Sequence, residues 1–527
     1  MRKRLVIVTA SFCLLFALLA PSAWAGVNGW DHVGNGGTAG TASLNGSVYA
    51  LHADGTGLYV GGTFTNAGGV ASADHIAKWD GTRWSGFAPL NGAVNAIAVA
   101  GGKLFVGGQF TNAGGNANAD FLAVWNGSAW KPFCNAVGPG PAFGGSVLAL
   151  QVIGNTLYVG GAFQNGAGLP AADYLLACDL TTGASSSTVP HDGDMSGSVY
   201  ALTADHSGTL YAGGQFSNLA GNLAIDHIGA YSAGSWHPMG SGPSPGGGSI
   251  DSYVRALASD GTNVYVGSDS TSIGGVSGAN HVAKWNGSSW SAMGSNYFST
   301  LTYIYALAVD GPLVFAGGSF QNASGDPMAD QIAYWNGSAW HHLGSNGSGN
   351  GPFIGNTAAL ATRGARVFAG GNFTSAGGDT LADGIAQSPI QQPDAQIRPA
   401  GTASFTGNGI YSSTAAGESK SLTAARGTTG TFYLKFQNDG LLSGSYLLHA
   451  TGSATGFTTT YTVAGVGVNS KIKAGTYTTG TLSPGKSITV KLVVNVAKSA
   501  GTSASFLIKA THTGVPADAV KAVVKAK

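Results

Sequence analysis

One pattern returns seven times and narrows the fold more than anything else in the chain. A segment reading V-x-A-L, or a close variant, begins at Val48, Val94, Val147, Val199, Val254, Ile304 and Thr357, with spacings of 46, 53, 52, 55, 50 and 53 residues. A glycine pair follows at Gly61-Gly62, Gly107-Gly108, Gly160-Gly161, Gly213-Gly214, Gly317-Gly318 and Gly370-Gly371, and the fifth copy has Gly267-Ser268 instead. A unit of this size cannot bury a core alone and must stack on its neighbours.

Each unit reads as four short strands. In the first copy these are "SVYALHAD", then "LYVGG" after a DG turn, then "HIAKW" after the small-residue loop "TNAGGVASAD". A DG or NGS turn leads to the fourth strand at the next Trp. Alternation broken by Asn-Gly and Asp-Gly turns is the local mark of β-hairpins. Aromatic pairs five residues apart (Trp79/Trp84, Trp125/Trp130, Tyr231/Trp236, Trp285/Trp290, Trp335/Trp340) fall on the two strands of one hairpin and are expected between blades as core. In the third unit Cys178 replaces the first Trp. The seventh unit lacks its Trp pair, while "WDHVG" from Trp30 matches "WHPMG", "WSAMG" and "WHHLG" at Trp236, Trp290 and Trp340. The N-terminus is therefore expected to supply the missing strand and close a ring, which hides edge strands.

Strand, glycine pair and paired aromatics resemble the kelch repeat, over residues 48 to about 390. The expected fold class is all-β: a seven-bladed β-propeller closed by an N-terminal strand, over 26–390, followed by an Ig-like β-sandwich over 391–527. From about Pro393, "SKSLTAARG", "TGTFYLKFQNDG", "GSYLLHATG", "GFTTTYTVAG", "LSPGKSITVKLVVNV", "SASFLIKATHTG" and "AVKAVVKAK" alternate like strands of a sandwich. That tail resembles the immunoglobulin-like domains ending many secreted bacterial proteins.

Residues 1–25 read as an export signal: Arg2, Lys3 and Arg4, an apolar run from Leu5 to Ala20, and Ala23-Trp24-Ala25 as a small-x-small cleavage site. No later run is long and apolar enough to span a bilayer. The predicted location is secreted or cell-surface associated. Cys13 lies in the signal, so Cys134 and Cys178 remain, as one disulfide or as two buried thiols. The near-zero total charge hides a net −11 over 26–390 and +9 over 391–527. The acidic body argues against nucleic acid. The basic tail suits an anionic cell-wall polymer or is simply a solvated face. Glu418 is the sole glutamate in the chain.

The chemistry is less legible. Asp74, Asp120, Asp173, Asp226, Asp330 and Asp383, with Asn280 in the fifth copy, precede each third strand. A column repeated around a ring reads as turn structure, with the carboxylate accepting backbone N–H groups. The body has no Glu for a paired-carboxylate glycosidase, four arginines for a sialidase-like cluster, and no G-x-S-x-G elbow. A kelch ring followed by an Ig-like domain resembles galactose oxidase, whose copper is held by two Tyr and two His with one Tyr crosslinked to Cys. Here Cys178 occupies a packing column, His449 and His512 lie in the tail, and no surrounding motif matches. The preferred reading is therefore a non-catalytic extracellular binding or surface-interaction protein for glycan or protein, with an oxidase or glycan-cleaving enzyme as the alternative. No cofactor is assigned, with Ca²⁺ and Cu left open. The loops joining fourth to first strands vary most, and loops on a rigid scaffold carry recognition. Their candidates are Phe143, His191, Asp192, Asp194, Asp251, Tyr253, Tyr297, Phe298 and Phe353: aromatics to stack on a ligand, aspartates to bind hydroxyls or Ca²⁺.

Overall fold

In a computed structural model, the residues described are 30–38, 40–134, 141–186, 195–241, 247–294, 298, 303–390, 392–408, 412–512 and 517–527. The expected export segment lies outside them.

Seven antiparallel four-stranded sheets follow one another. In the first blade the strands are Val48–Asp54, Gly57–Gly62, Ile76–Trp79 and Trp84–Gly86, hydrogen-bonded in that order. The first strand of each blade lies against the first strand of the next, and that of blade 7, Thr357–Arg363, returns to Val48–Asp54. The glycine pairs make this approach feasible. A Cβ on Gly61 would stand 2.6 Å from Val94 Cγ1 of blade 2, and one on Gly370 would stand 2.4 Å from Val48 Cγ1 of blade 1. The first glycine of each pair is thus a socket for the next blade's β-branched side chain, valine in most blades, Ile304 against Gly267 and Thr357 against Gly317, and the same socket joins the last blade to the first.

The Asp column does what the turn reading requires. Asp74, Asp120, Asp173, Asp226, Asp330 and Asp383 each accept the backbone N–H eight residues earlier, at 2.6–2.8 Å, from Asn66, Asn112, Asn165, Asn218, Asn322 and Ser375. All six donors are left-handed, with φ near 50°. The carboxylate thereby pins a short 3₁₀ turn between the second and third strands.

Tryptophans tie the outer rim. Trp84 Nε1 donates to the Val33 carbonyl, Trp130 to Ala88, Trp290 to Met239, Trp340 to Leu343's counterpart Met293, and Trp30 to Leu343. Each bond runs from the outer strand of one blade to the end of the outer strand before it. Blade 3 breaks the series: Ser185 pairs with Cys178 where Trp130 pairs with Trp125. At that seam Cys134, which follows Trp130 as Ala88 follows Trp84, is disulfide-bonded to Cys178. Of the two states left open by the sequence, the bonded one is present, and it spans the joint that has no indole.

Closure is as expected. Asp31–His32 pairs with Ile385–Pro389 of blade 7, Asp31 opposite Gln387 and His32 opposite Ala386. His32 Nδ1 lies 3.1 Å from Asp31 and 2.7 Å from Asp379. The hydrogen bonds to Asp31 and then Asp379 outweigh partial burial and raise the imidazole pKa from 6.5 to about 10. A raised folded-state value means the clasp is fully present below pH ~6.5 and is lost as pH rises through about 10. We expect the ring's thermal midpoint to fall between pH 7 and 10 and His32→Gln to flatten that fall; equal slopes in the two proteins would rule the clasp out.

Beyond the ring, two five-stranded sheets face each other. One orders Pro393–Pro399, Thr429–Asn438, Ser487–Val496, Phe457–Val463 and Val466–Gly467; the other orders Ser419–Ala424, Asp518–Ala526, Ser503–Thr511, Leu447–Thr451 and Tyr477–Thr478. Phe432, Leu434 and Val490 from the first sheet share one core with Leu448, Ile508 and Val520 from the second. Alternating buried and exposed residues along Thr429–Asn438 and Ser487–Val496 show why the sequence reads as strands with one wet face. Leu441 and Leu442 pack against the blade 7 core, and both donate N–H to the Ile390 carbonyl, at 2.7 and 3.2 Å. No described helix is long and apolar enough to cross a membrane.

Candidate ligand-binding face

The inner strands carry the same irregularity in every blade. Register shifts by one residue between the V and the A of V-x-A-L, from Val48/Ala50 to Thr357/Ala359. The x residue is the extra one of a β-bulge, a device that re-aims a side chain. Tyr49, Asn95, Leu148, Tyr200, Arg255 and Tyr305 occupy this position and line a central cavity of about 220 Å³. Below them runs a ring formed by Leu51, Ile97, Leu150, Leu202, Leu257, Leu307 and Leu360. The cavity thus has an apolar belt of constant residues and a rim of varied ones.

Blades 4 to 6 concentrate the polarity. Arg255 donates from Nε and Nη2 to the two oxygens of Asp269, at 2.6 and 2.7 Å. That bond holds the guanidinium above its ordinary pKa despite half-burial. Its plane lies over Tyr303 and Tyr305, 4.9 and 5.9 Å from the ring centroids, and these two rings stack at 5.9 Å. On the other side Tyr200 donates to Gln215 Oε1 at 2.6 Å, and Gln215 Nε2 donates to the Tyr253 hydroxyl at 3.1 Å. Burial raises the Tyr200 pKa, so its hydroxyl stays a donor. Tyr49 and Tyr303 are 41% and 39% exposed, an unusual cost for large rings in a ring otherwise sealed with aromatics.

Blade 5 departs from the repeat at several linked places. Where other blades have a buried Phe after the glycine pair (Phe64, Phe110, Phe163, Phe216, Phe320, Phe373), it has Ser270. Ser270 donates to Asp251 at 2.5 Å. Ser268 replaces the second glycine and donates to the Tyr253 carbonyl at 2.9 Å. The blade bearing Arg255 has therefore exchanged packing groups for hydroxyls beside the rim.

The sequence-derived candidates divide sharply. Tyr253 stands in the rim network, and Asp251 is exposed but bonded to Ser270. Phe143, Phe298 and Phe353 are core residues, 1%, 4% and 4% exposed, and this corrects their assignment to a stacking face. Phe143 meets Phe163 edge-on at 4.7 Å, Phe298 meets Phe320 and Trp340, and Phe353 stacks on Phe373 at 4.2 Å. The reason is positional. In six blades the residue four before V-x-A-L plugs the blade, Phe143 and Phe353 as well as Leu44, Leu90, Met195 and Ile250, and in blade 6 Phe298, six before Ile304, is buried in the same way. His191, Asp192, Asp194 and Tyr297 lie outside the described residues. Missed by the sequence reading were Tyr49, Asn95, Tyr200, Arg255, Asp269, Tyr303 and Tyr305. For Tyr49, Asn95, Tyr200, Arg255 and Tyr305 a signal was available, since x is the one position of V-x-A-L that does not repeat; Asp269 and Tyr303 stand outside that motif.

Chemically the rim offers aromatic faces and hydrogen-bond donors. Arg255 is clamped to a carboxylate, and among the described residues no three His, Cys, Asp or Glu donors converge at the cavity. Flat aromatic faces beside forked donors suit a polyhydroxylated or amide-bearing ligand.

No protein family matches the chain, and no curated protein does. Among solved structures, a FixG-related protein from Vibrio parahaemolyticus aligns with 12% identity over 26% of this chain and 96% of its own, at a TM-score of 0.16. The N-terminal domain of PorA aligns with 12% identity over 26% and 98%, at 0.18. A family 123 glycoside hydrolase from Clostridium perfringens aligns with 8% identity over 26% and 27%, at 0.17. Similarity at this level carries no argument about what the chain does.

Proposed function

We propose that this chain is a secreted, non-catalytic binding protein whose ring holds a neutral glycan at the mouth of its central cavity. The carrying observation is the Arg255–Asp269 pair framed by Tyr303 and Tyr305 on one side and Tyr200 and Tyr253 on the other. Asp269 cancels the arginine's charge within a body of net −11, so an anionic sugar gains little there. Exposed tyrosine faces offer stacking, and the guanidinium donors not used by Asp269 can reach ring hydroxyls. In this reading 26–390 is a kelch-type ring, 391–527 is an Ig-like domain, and 1–25 directs export. The +9 tail would hold the protein on an anionic wall polymer while the ring faces outward.

The test is binding of the intact chain to an array of neutral and acidic glycans. Arg255→Ala and Tyr303→Ala should each weaken binding to one neutral class by on the order of 30-fold or more, as central anchors do. Tyr303→Ala should leave the thermal midpoint within about 1 °C, because so much of its ring is already in water. No neutral glycan bound, or full binding by both variants, would sink the assignment.

A further inference from the structure

Blade 7 lacks two side chains that the other blades carry on the ligand-binding face. At the x position of V-x-A-L the first six blades present Tyr49, Asn95, Leu148, Tyr200, Arg255 and Tyr305, and all of them line the central cavity. Blade 7 has Ala358 there, and its share of the cavity wall is Ala359 and Leu360. Its inner strand lies between those of blades 6 and 1. The rim therefore has a notch, with Tyr305 on one side and Tyr49 on the other.

The second omission follows the Asp column. Blades 1 to 6 carry His75, Phe121, Tyr174, His227, His281 and Gln331 there, every one left-handed with φ of 56–64°. A side chain in that conformation costs energy, and six blades bear the cost. Two of them show what it achieves: His227 meets Tyr253 edge-on at 5.6 Å and His281 meets Phe298 at 6.5 Å, each reaching the entry of the next blade. Blade 7 has Gly384, at φ +69°, so no side chain crosses from that position. A second cavity, of about 260 Å³, lies at this seam, with Asn45, Ser47, Asn372, Thr374 and Asp383 in its lining. Asp383 Oδ1 accepts the Ser375 N–H at 2.8 Å, and Asn372 Oδ1 accepts that of Asn356 at 2.7 Å. Among the described residues nothing in the protein bonds Asp383 Oδ2 or Asn372 Nδ2. They put an acceptor and a donor in one cavity, which is what hydroxyl groups require.

The two cavities are neighbours. Ser47 lines the seam cavity and Tyr49 the central one, two residues apart in a chain that advances about 3.3 Å per residue when extended. The central cavity alone, at about 220 Å³, is smaller than the ~300–1,000 Å³ of ordinary ligand pockets.

We propose that the ring binds a neutral glycan chain rather than a single sugar, along a track with one unit at Arg255, the next over Ala358 between Tyr305 and Tyr49, and a third in the seam cavity. The track presupposes the glycan site at the rim and gives it length and direction. The chain leaves the mouth through blade 7 because every other blade closes the rim with a larger side chain at x. Tyr49 offers its face to the middle unit, and Asn372 and Asp383 take hydroxyls of the third. The seam cavity asks for an uncharged ligand as the rim does, since its lining holds Asp383 and, among the described residues, no Lys or Arg.

Calorimetric titration of the intact chain with cello-, chito- and malto-oligosaccharides of one to six units tests this. In one ladder the affinity should rise on the order of 30-fold from one unit to three and then level off. Tyr49→Ala should cut that gain to about 3-fold and leave affinity for the single sugar within about 2-fold. Ala358→Tyr, which places at x the residue that blades 1, 4 and 6 already have, should do the same by filling the notch. Arg255→Ala should weaken every length alike. Affinity that ignores length but still falls with Arg255→Ala overturns the track and leaves the rim site standing. A length gain that both Tyr49→Ala and Ala358→Tyr retain overturns it too, by routing the chain elsewhere. No binding in any ladder defeats the rim site and the track together.

Discussion

Trp30→Ala should cost the ring about 4 kcal/mol, the range expected for emptying a buried indole site. Trp30 is fully buried although it stands at the edge of the described chain. Its ring meets Phe353 edge-on at 4.7 Å, and Phe353 stacks on Phe373, so the indole completes an aromatic column through blade 7. Its Nε1 donates to the Leu343 carbonyl of blade 6 at 2.6 Å. The two-residue strand that follows has few bonds of its own, which leaves the indole as the main anchor of closure. Denaturant unfolding should show the loss as a lower midpoint, and limited proteolysis should cut blade 7 first. Trp30→Phe, which keeps much of the packing and gives up the hydrogen bond, should lose clearly less. Equal stability of Trp30→Ala and the unsubstituted ring would mean that blade 7 does not need its N-terminal strand.

Removing the disulfide should cost a similar amount. Cys134 and Cys178 are 44 residues apart, and closing a loop of that length in the unfolded chain is worth about 4 kcal/mol on chain-entropy grounds. Both cysteines are fully buried among Phe105, Phe133 and Leu157, so paired serines also place two hydroxyls in an apolar setting. We expect Cys134→Ser/Cys178→Ser to unfold at markedly lower denaturant, and a reductant to shift the unsubstituted chain the same way while leaving the double variant unmoved. A reductant with no effect on the unsubstituted chain's midpoint would show that the bond adds nothing to stability.

Much of the ring is readable in sequence because repetition turns local signals into global ones. A single VYALHAD is a weak strand, but seven copies with glycine sockets define both the blade and its neighbour. "WDHVG" betrays closure because it matches fourth strands elsewhere. The binding rim is harder. A bulge changes which way x points, and periodicity counted from V would send it to the wrong side. Phe143 and Phe353 mislead for the opposite reason: they sit in variable loops, yet four residues before the inner strand any large apolar side chain becomes a plug. The cysteine partnership belongs to neither spacing nor composition, since it depends on which blades adjoin.

The outer rim behaves as a hoop. Its five indole links each run to the blade before, and the outer strands at Trp30, Trp84, Trp290 and Trp340 carry both a donor and, three or four residues on, an acceptor. Such links are interchangeable, so a duplicated or deleted unit at blade 5 or 6 would meet its new neighbour with a matching end. The seam between blades 2 and 3 lacks that freedom, because the cysteine on each side fits only the other. The hoop therefore has one riveted joint that fixes where the count begins, and one latch, at Trp30, where the two ends of the band meet. Outward strain on the ring would be released at the latch long before the rivet.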